Sequence, residues 1–215
     1  MNFDILNKTI CLCGKRHSGK SELIKYILNL YGHLFNKIFV ICPSEAVNHF
    51  YQQILPTENI FNEYSDDWID KLMKRLIKLN GGKKDNECAH VLLVLDDCVS
   101  DVNFHSAKNF EKLFTRGRHL KISLMLTTQY PYLIPPVARI NTDYILVGQM
   151  NKQGLKVMCD EFLMGDIEPK EFMKMYYNAT NDYGFLIINN NSTKSNADLN
   201  SLYGTVKVPI DEIKK

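Results

Sequence analysis

The 215-residue sequence contains no apolar run approaching the ~18 residues of a membrane-spanning helix. Its start, Met1-Asn2-Phe3-Asp4, has no basic flank leading into an apolar core, so no secretory signal is read there. An excess of charge is also missing. Lys and Arg number 26 against 24 Asp and Glu, a net +2, which excludes a whole-surface polyelectrolyte and confines any nucleic-acid contact to a local patch. The six cysteines (Cys11, Cys13, Cys42, Cys88, Cys98 and Cys159) form no CxxC pair and mostly sit in or beside apolar runs. Reduced, largely buried thiols are expected in place of a metal site or a disulfide framework. No internal repeat and no heptad run is present. What remains, 45% hydrophobic and 23% charged, excludes disorder as the overall state. The length suits a single domain over 1–215, with its core at about 8–149 and further helices and strands over 150–215.

Strand-length apolar runs alternate with helical patterns. Thr9–Cys13 precedes Lys20–Tyr31, where Leu23, Ile24, Ile27, Leu28 and Tyr31 share a helical face. Lys37–Cys42 follows, then a helix over about Asp66–Leu79 with Ile69, Leu72, Met73, Leu76 and Ile77 on one side. Val91–Leu95, a helix near Ser106–Thr115, Ile122–Leu126 and Tyr144–Val147 continue the alternation. Helical segments near Lys152–Leu163 and Lys170–Asn178 precede two strand-like runs, Tyr183–Ile188 and Leu202–Val208, parted by an Asn/Ser-rich loop at 189–196. Strands apolar at every position are those covered by helices on both faces. The pattern predicts an α/β fold with a mostly parallel central sheet, whose ligands sit beyond the carboxyl ends of the strands.

Those ends carry chemistry. The first strand runs into Gly14-Lys15-Arg16-His17-Ser18-Gly19-Lys20-Ser21, a full GxxxxGK[ST] match placed after a strand and opening a helix. Its glycines let backbone N–H groups converge on a phosphate at the positive end of the helix dipole. Lys20 is expected to neutralise β- and γ-phosphate oxygens of ATP, and the Ser21 hydroxyl to ligate Mg²⁺. The run Val91–Leu95 ends in Asp96-Asp97. Alone this pair reads equally as a helix cap. Beside a phosphate loop, Asp96 is expected to hold Mg²⁺ and Asp97 to orient and deprotonate an attacking water. The strand ending Leu126-Thr127-Thr128-Gln129 offers an amide able to bond both water and γ-phosphate. Just before that strand, Phe114-Thr115-Arg116-Gly117-Arg118-His119 places two arginines at a helix end. They either complement the helix dipole or present a guanidinium to a neighbouring subunit's γ-phosphate, a contact worth ~10³–10⁵ in rate where it operates.

Taken together, these elements resemble the viral DNA-packaging ATPases of the poxvirus and giant-virus kind, in the FtsK–HerA group of P-loop NTPases. The resemblance covers about Lys8 to Gln149, and Leu113–Ser123 running into Leu126-Thr127-Thr128-Gln129 is its most specific part. It implies a P-loop NTPase (RecA-like) fold and ATP-driven translocation of double-stranded DNA into a capsid or procapsid. It also implies a homo-oligomeric ring, a hexamer by analogy, acting in the host-cell cytoplasm where virus assembles, with the virion as a second location. Arg118 matches the arginine placed before the Thr-Gln strand, and Gln129 the polar sensor. Pro135-Pro136-Val137-Ala138-Arg139 matches a Pro-x-x-x-Arg segment, so Arg116, Arg118 and Arg139 all stand as candidates for the contact in trans. Asp97 departs from the glutamate of many members of the wider group.

Lys71, Lys74, Arg75, Lys78, Lys83 and Lys84 form a basic stretch with no acid from 71 to 84, after Asp66, Asp67 and Asp70 in the first turn of the same helix. Dipole complementarity explains that order, and a surface facing DNA phosphates explains it as well. A ring would multiply the few phosphate contacts one subunit offers. Two other readings of the phosphate loop are a nucleotide or small-molecule kinase and a GTP-binding switch. The first lacks an Arg-rich lid, since no Arg follows Arg139. The second rests on Asn151-Lys152-Gln153-Gly154, which has Gly154 where the guanine-reading Asp belongs.

Overall fold

The computed structural model describes residues 4–98, 107–162, 167–191 and 199–209. The beginning of the helix expected from Ser106, the end of the one expected to Leu163, and positions 192–196 of the polar loop lie outside the described residues.

Eight strands form one sheet in the order β3-β2-β4-β5-β1-β6-β7-β8. They are β1 (Thr9–Cys13), β2 (Lys37–Ile41), β3 (Ile60–Phe61), β4 (Val91–Leu95), β5 (Ile122–Thr128), β6 (Tyr144–Val147), β7 (Gly184–Asn189) and β8 (Tyr203–Lys207). The first six strands are mutually parallel, and β7 and β8 complete one edge antiparallel. Eight helices accompany them among the described residues: α1 (Lys20–Tyr31), α2 (Glu45–Asn48), α3 (Asp66–Asn80), α4 (Lys108–Arg116), α5 (Pro136–Ile140), α6 (Lys152–Phe162), α7 (Pro169–Ala179) and α8 (Leu199–Leu202). None of the described helices is long and apolar enough to cross a membrane.

The uniform apolarity of the strands has its cause in two covered faces. Successive side chains alternate across a sheet. Val91, Leu93 and Leu95 of β4 therefore pack with α3, α4 and α5, while Leu92 and Val94 pack with α1 on the opposite face. Cys11 and Cys13 of β1 join the first layer, Ile10 and Leu12 the second. A third cluster joins β6 and β7 to α6 and α7 through Leu155, Met158, Phe162, Phe172 and Tyr176. The mostly parallel, doubly covered sheet matches the expected α/β class, and β1, β4, β6 and α1 keep their expected bounds.

One packing expectation needs correcting. Ile77 does not join the core side of α3; it is 57% exposed, whereas Ile69, Leu72, Met73 and Leu76 are buried. Eight residues separate Ile77 from Ile69, a rotation of about 80° at ~3.6 residues per turn, enough to carry it off the buried stripe. The thiols, by contrast, are largely buried as expected: Cys11, Cys13, Cys42 and Cys98 are buried, Cys88 and Cys159 partly covered, and all six are free.

The strand order sets up the site. β5 lies between β1 and β4, with Cys13 level with Thr128 and Leu95 level with Leu126. The three carboxyl ends that carry the phosphate loop, the Thr-Gln segment and the paired aspartates therefore open on the same side.

Candidate active site

The loop after β1 is pinned by its neighbours. Gly14 N–H donates to Thr128 O at 3.1 Å, Lys15 N–H to Gln149 O at 2.6 Å, and Ser18 N–H to Lys15 O at 3.3 Å. Gly19 ends the loop at φ +88°, a left-handed conformation that favours glycine, and the ring of Tyr183 comes within 3.3 Å of where a β-carbon would stand. His17 is also left-handed, at φ 61°. α1 then starts at Lys20, so its unpaired N–H groups face the loop. Lys20 Nζ donates to Gly14 O at 2.8 Å and Lys15 O at 3.1 Å, folded over the loop that it closes. Burial lowers its ammonium pKa, and the charges of Asp97 and Asp96 oppose that shift. Ser18 Oγ is buried without a hydrogen-bond partner among the described residues. An orphaned hydroxyl in a loop of converging N–H groups suits an anionic oxygen.

Across from the loop, Asp96 is buried and accepts three hydroxyls. Ser21 Oγ donates to Oδ2 at 2.9 Å, Tyr51 Oη to the same oxygen at 2.7 Å, and Thr127 Oγ1 to Oδ1 at 2.6 Å. The Ser21 and Asp96 oxygens are hard donors of the type Mg²⁺ takes. Asp97 is exposed and left-handed at φ 57°. Its N–H donates to Thr127 Oγ1 at 2.8 Å, and its carboxylate accepts from Gln129 Nε2 at 3.2 Å and 3.5 Å. An open cleft of about 560 Å³ is lined by Arg16, His17, Ser18, Gly19, Lys20 and Ser21 from the loop, and by Asp96, Asp97 and Gln129 from the facing strands. Glu22, Ser44, Asn48 and Phe50 complete its wall.

The candidate arginines are elsewhere. Arg118, in the turn Gly117–Leu120, and Arg116, at the end of α4, both precede β5; Arg139, on α5, precedes β6. All three therefore stand at the amino-end pole of the sheet. The seven residues of β5 separate Arg118 from its own Gln129, about 23 Å at ~3.3 Å per residue. No arginine side chain spans that length, so none of these guanidiniums meets the phosphate loop of its own chain. Arg116 and Arg118 are exposed, whereas Arg139 is largely buried and pairs with Glu161 at 3.2 Å. The near-match to a guanine reader also has a local explanation: Asn151 Oδ1 accepts from Gly154 N–H at 2.8 Å, the bond that caps α6.

A model of the poxvirus A32 protein family matches residues 4–206. The chain belongs to that family. Protein 075L of Invertebrate iridescent virus 6 is 35% identical over 185 residues, covering 85% of this chain and 70% of that relative. Among solved structures, B204, the DNA-packaging ATPase from Sulfolobus Turreted Icosahedral Virus, is similar with a TM-score of 0.64 at 18% identity, covering 95% of this chain and 98% of B204. The genome packaging NTPase B204 from Sulfolobus turreted icosahedral virus 2, in complex with ATP-gammaS, gives 0.61 at 18% identity, covering 94% and 98%. At these identities the likeness is one of fold, that of the P-loop ATPases.

Tyr51 and Glu45 were not legible as site residues. Tyr51 is fully buried and reaches Asp96 from 45 positions earlier, with no motif around it. Glu45, also fully buried, accepts from the N–H groups of Tyr51 at 3.0 Å and Gln52 at 2.9 Å. The one available signal is an acidic residue shortly after a strand end, and it does not distinguish this staple from an ordinary helix start.

Proposed function

We propose that this chain is an ATPase that packages a viral genome by moving double-stranded DNA into a capsid. The reading assigns the whole chain to one P-loop unit working at subunit interfaces of a ring, in the infected host cell. It is supported by membership of the A32 family and by the fold shared with the B204 packaging enzymes. The observation that carries it is the convergence of Lys20, Ser21, Asp96, Asp97 and Gln129 on one cleft at the carboxyl ends of three adjacent strands.

On this reading the N–H groups of Gly14–Ser21 wrap the β-phosphate, and Lys20 exchanges its loop carbonyls for phosphate oxygens. Ser21 and Asp96 would hold Mg²⁺, which neutralises charge on the β- and γ-oxygens. Asp97 takes the proton of the attacking water, and the Gln129 amide, already bonded to Asp97, orients that water against the γ-phosphate. The remaining negative charge is met by Arg118 of an adjoining subunit. Arg118 is favoured over Arg139 because Arg139 is already paired with Glu161 in its own chain. DNA is contacted through its phosphates, with Lys83 and Lys84 the first candidates, which suits a motor indifferent to sequence.

The deciding experiment is the ATP hydrolysis rate measured with and without long duplex DNA over a range of protein concentration. The reading expects specific activity to rise steeply with concentration and to be stimulated by duplex. Full activity in a strict monomer that ignores DNA overturns it. Phosphorylation of added nucleotides would point to a kinase instead.

A further inference from the structure

The phosphate loop accounts for Lys20 and Ser21, but Asp96 is held by more than the loop. Of the three hydroxyls on its carboxylate, Ser21 comes from α1, Thr127 from β5 and Tyr51 from the turn Tyr51–Gln53. The Cys42 thiol lies 4.0 Å from Oδ2 of the same carboxylate, a weaker fourth contact. Ser21 and Asp96 would hold a divalent cation together, the Ser21 hydroxyl offering a lone pair while its proton stays hydrogen-bonded to Asp96 Oδ2. Tyr51 makes the shortest hydrogen bond to Oδ2, at 2.7 Å, from outside the phosphate loop, as Thr127 does to Oδ1 at 2.6 Å.

The local construction fits such a task. Tyr51 belongs to the buried cluster that contains Leu12, Leu23, Val40 and Val94, has no exposed surface, and meets Phe50 edge-on at 5.1 Å. Its backbone is clamped by the buried Glu45 carboxylate. A phenol moves about two side-chain torsions only, and full burial with the bonded hydroxyl restricts both. The same segment contributes Ser44, Asn48 and Phe50 to the cleft wall, so the clamp that aims the hydroxyl also shapes the wall facing the nucleotide.

We propose that Tyr51 is a positioning residue, whose hydroxyl holds Asp96 Oδ2 in the orientation that binds the divalent cation with Ser21. The proposal rests on the ATP- and Mg²⁺-dependent reading above and adds a residue outside its motifs. Outer partners of metal ligands typically contribute ~10–100-fold in metal affinity or activity.

Tyr51→Phe keeps the ring and deletes only the donor. Mn²⁺, as a paramagnetic stand-in, would be titrated by electron paramagnetic resonance into protein saturated with a non-hydrolysable ATP analogue. A fluorescent ATP analogue would be titrated separately in the presence of EDTA. The expected result is a ~10–100-fold weaker Mn²⁺ affinity, with metal-free nucleotide affinity within about twofold of wild type and hydrolysis recovering as metal is raised. Unchanged Mn²⁺ affinity overturns the proposal. Parallel loss of metal-free nucleotide affinity also overturns it, since that reports a loosened cleft. Tyr51→Met, a flexible apolar filler, supplies the same readout should the Phe variant fail to accumulate. Wild-type protein lacking any metal-dependent nucleotide binding would instead sink the parent reading, which separates the two failures.

Discussion

Asp97 and Gln129 meet at 3.2 Å across the mouth of the cleft, and neither is buried as Asp96 is. That difference separates their chemistry on the proposed reading: the buried carboxylate is committed to hydroxyls and would hold a cation, while the exposed one would meet the attacking water. Asp97→Asn should therefore lower turnover by ~10²–10⁴ while nucleotide affinity, measured by fluorescence titration, stays near wild type. Equal loss of binding and turnover would show that Asp97 shapes the loop and takes no proton. The thiols give a second test. Burial pushes the Cys42 thiol up to about 11 and the Cys11 thiol to about 12, so at pH 8 both remain protonated and shielded. Brief alkylation of native protein at pH 8 followed by peptide mapping should label Cys88 and Cys159, with Cys11 and Cys42 reacting only after denaturation. Lys20, Ser21 and Asp96 were legible in the sequence because each belongs to a short contiguous signal at a strand end. Tyr51 was not, because its role comes from a contact across 45 residues that no spacing rule encodes.

At the scale of elements, burial on both sheet faces made β1, β4 and β6 readable as unbroken apolar runs. β3 was missed: two residues at the sheet edge carry no pattern to detect. The basic stretch of α3 is partly committed already. Lys71 pairs with Asp67 and Lys74 with Asp70, each at 2.6 Å one turn apart, exposed pairs that solvent screens and that add little to the helix. Arg75 and Lys78, further along the helix, form no ion pair among the described residues. Beside the opposite edge strand β8, β7 starts on Gly184, where an added β-carbon would lie 2.0 Å from Ala179 O. Gly184→Ala should therefore destabilise the α7–β7 connection by about 2–4 kcal/mol, seen as a lower urea midpoint, although no functional group is touched. A shift under about 0.5 kcal/mol would mean that the turn readily rearranges.

For the whole molecule, the sheet has two poles of different character. The carboxyl ends carry the nucleotide cleft; the amino ends carry Arg116 and Arg118, with exposed Lys83 and Lys84 in the loop that leads into β4. Lys121, at that pole, pairs with Asp85 at 2.7 Å and ties this loop to the start of β5. Replacing Lys83 and Lys84 with Glu should reduce DNA-stimulated hydrolysis more than basal hydrolysis, with the difference shrinking as salt is raised. Equal loss of both rates would assign the lysines a structural role. Arg118→Ala should leave nucleotide binding intact and cut hydrolysis by ~10³ or more in assembled protein, and mixing it with a Lys20→Ala variant should restore part of the rate. Such rescue is possible only if loop and arginine come from different chains.

The separation of Arg118 from Gln129 by the length of β5 has an arithmetic consequence on the proposed reading. An open row of subunits always ends with one cleft awaiting a guanidinium and one guanidinium with nothing to touch. Closing the circle converts those two leftovers into one more working centre. Completion of the assembly is thus itself rewarded with activity, and a motor interrupted by a missing member is idle at the gap.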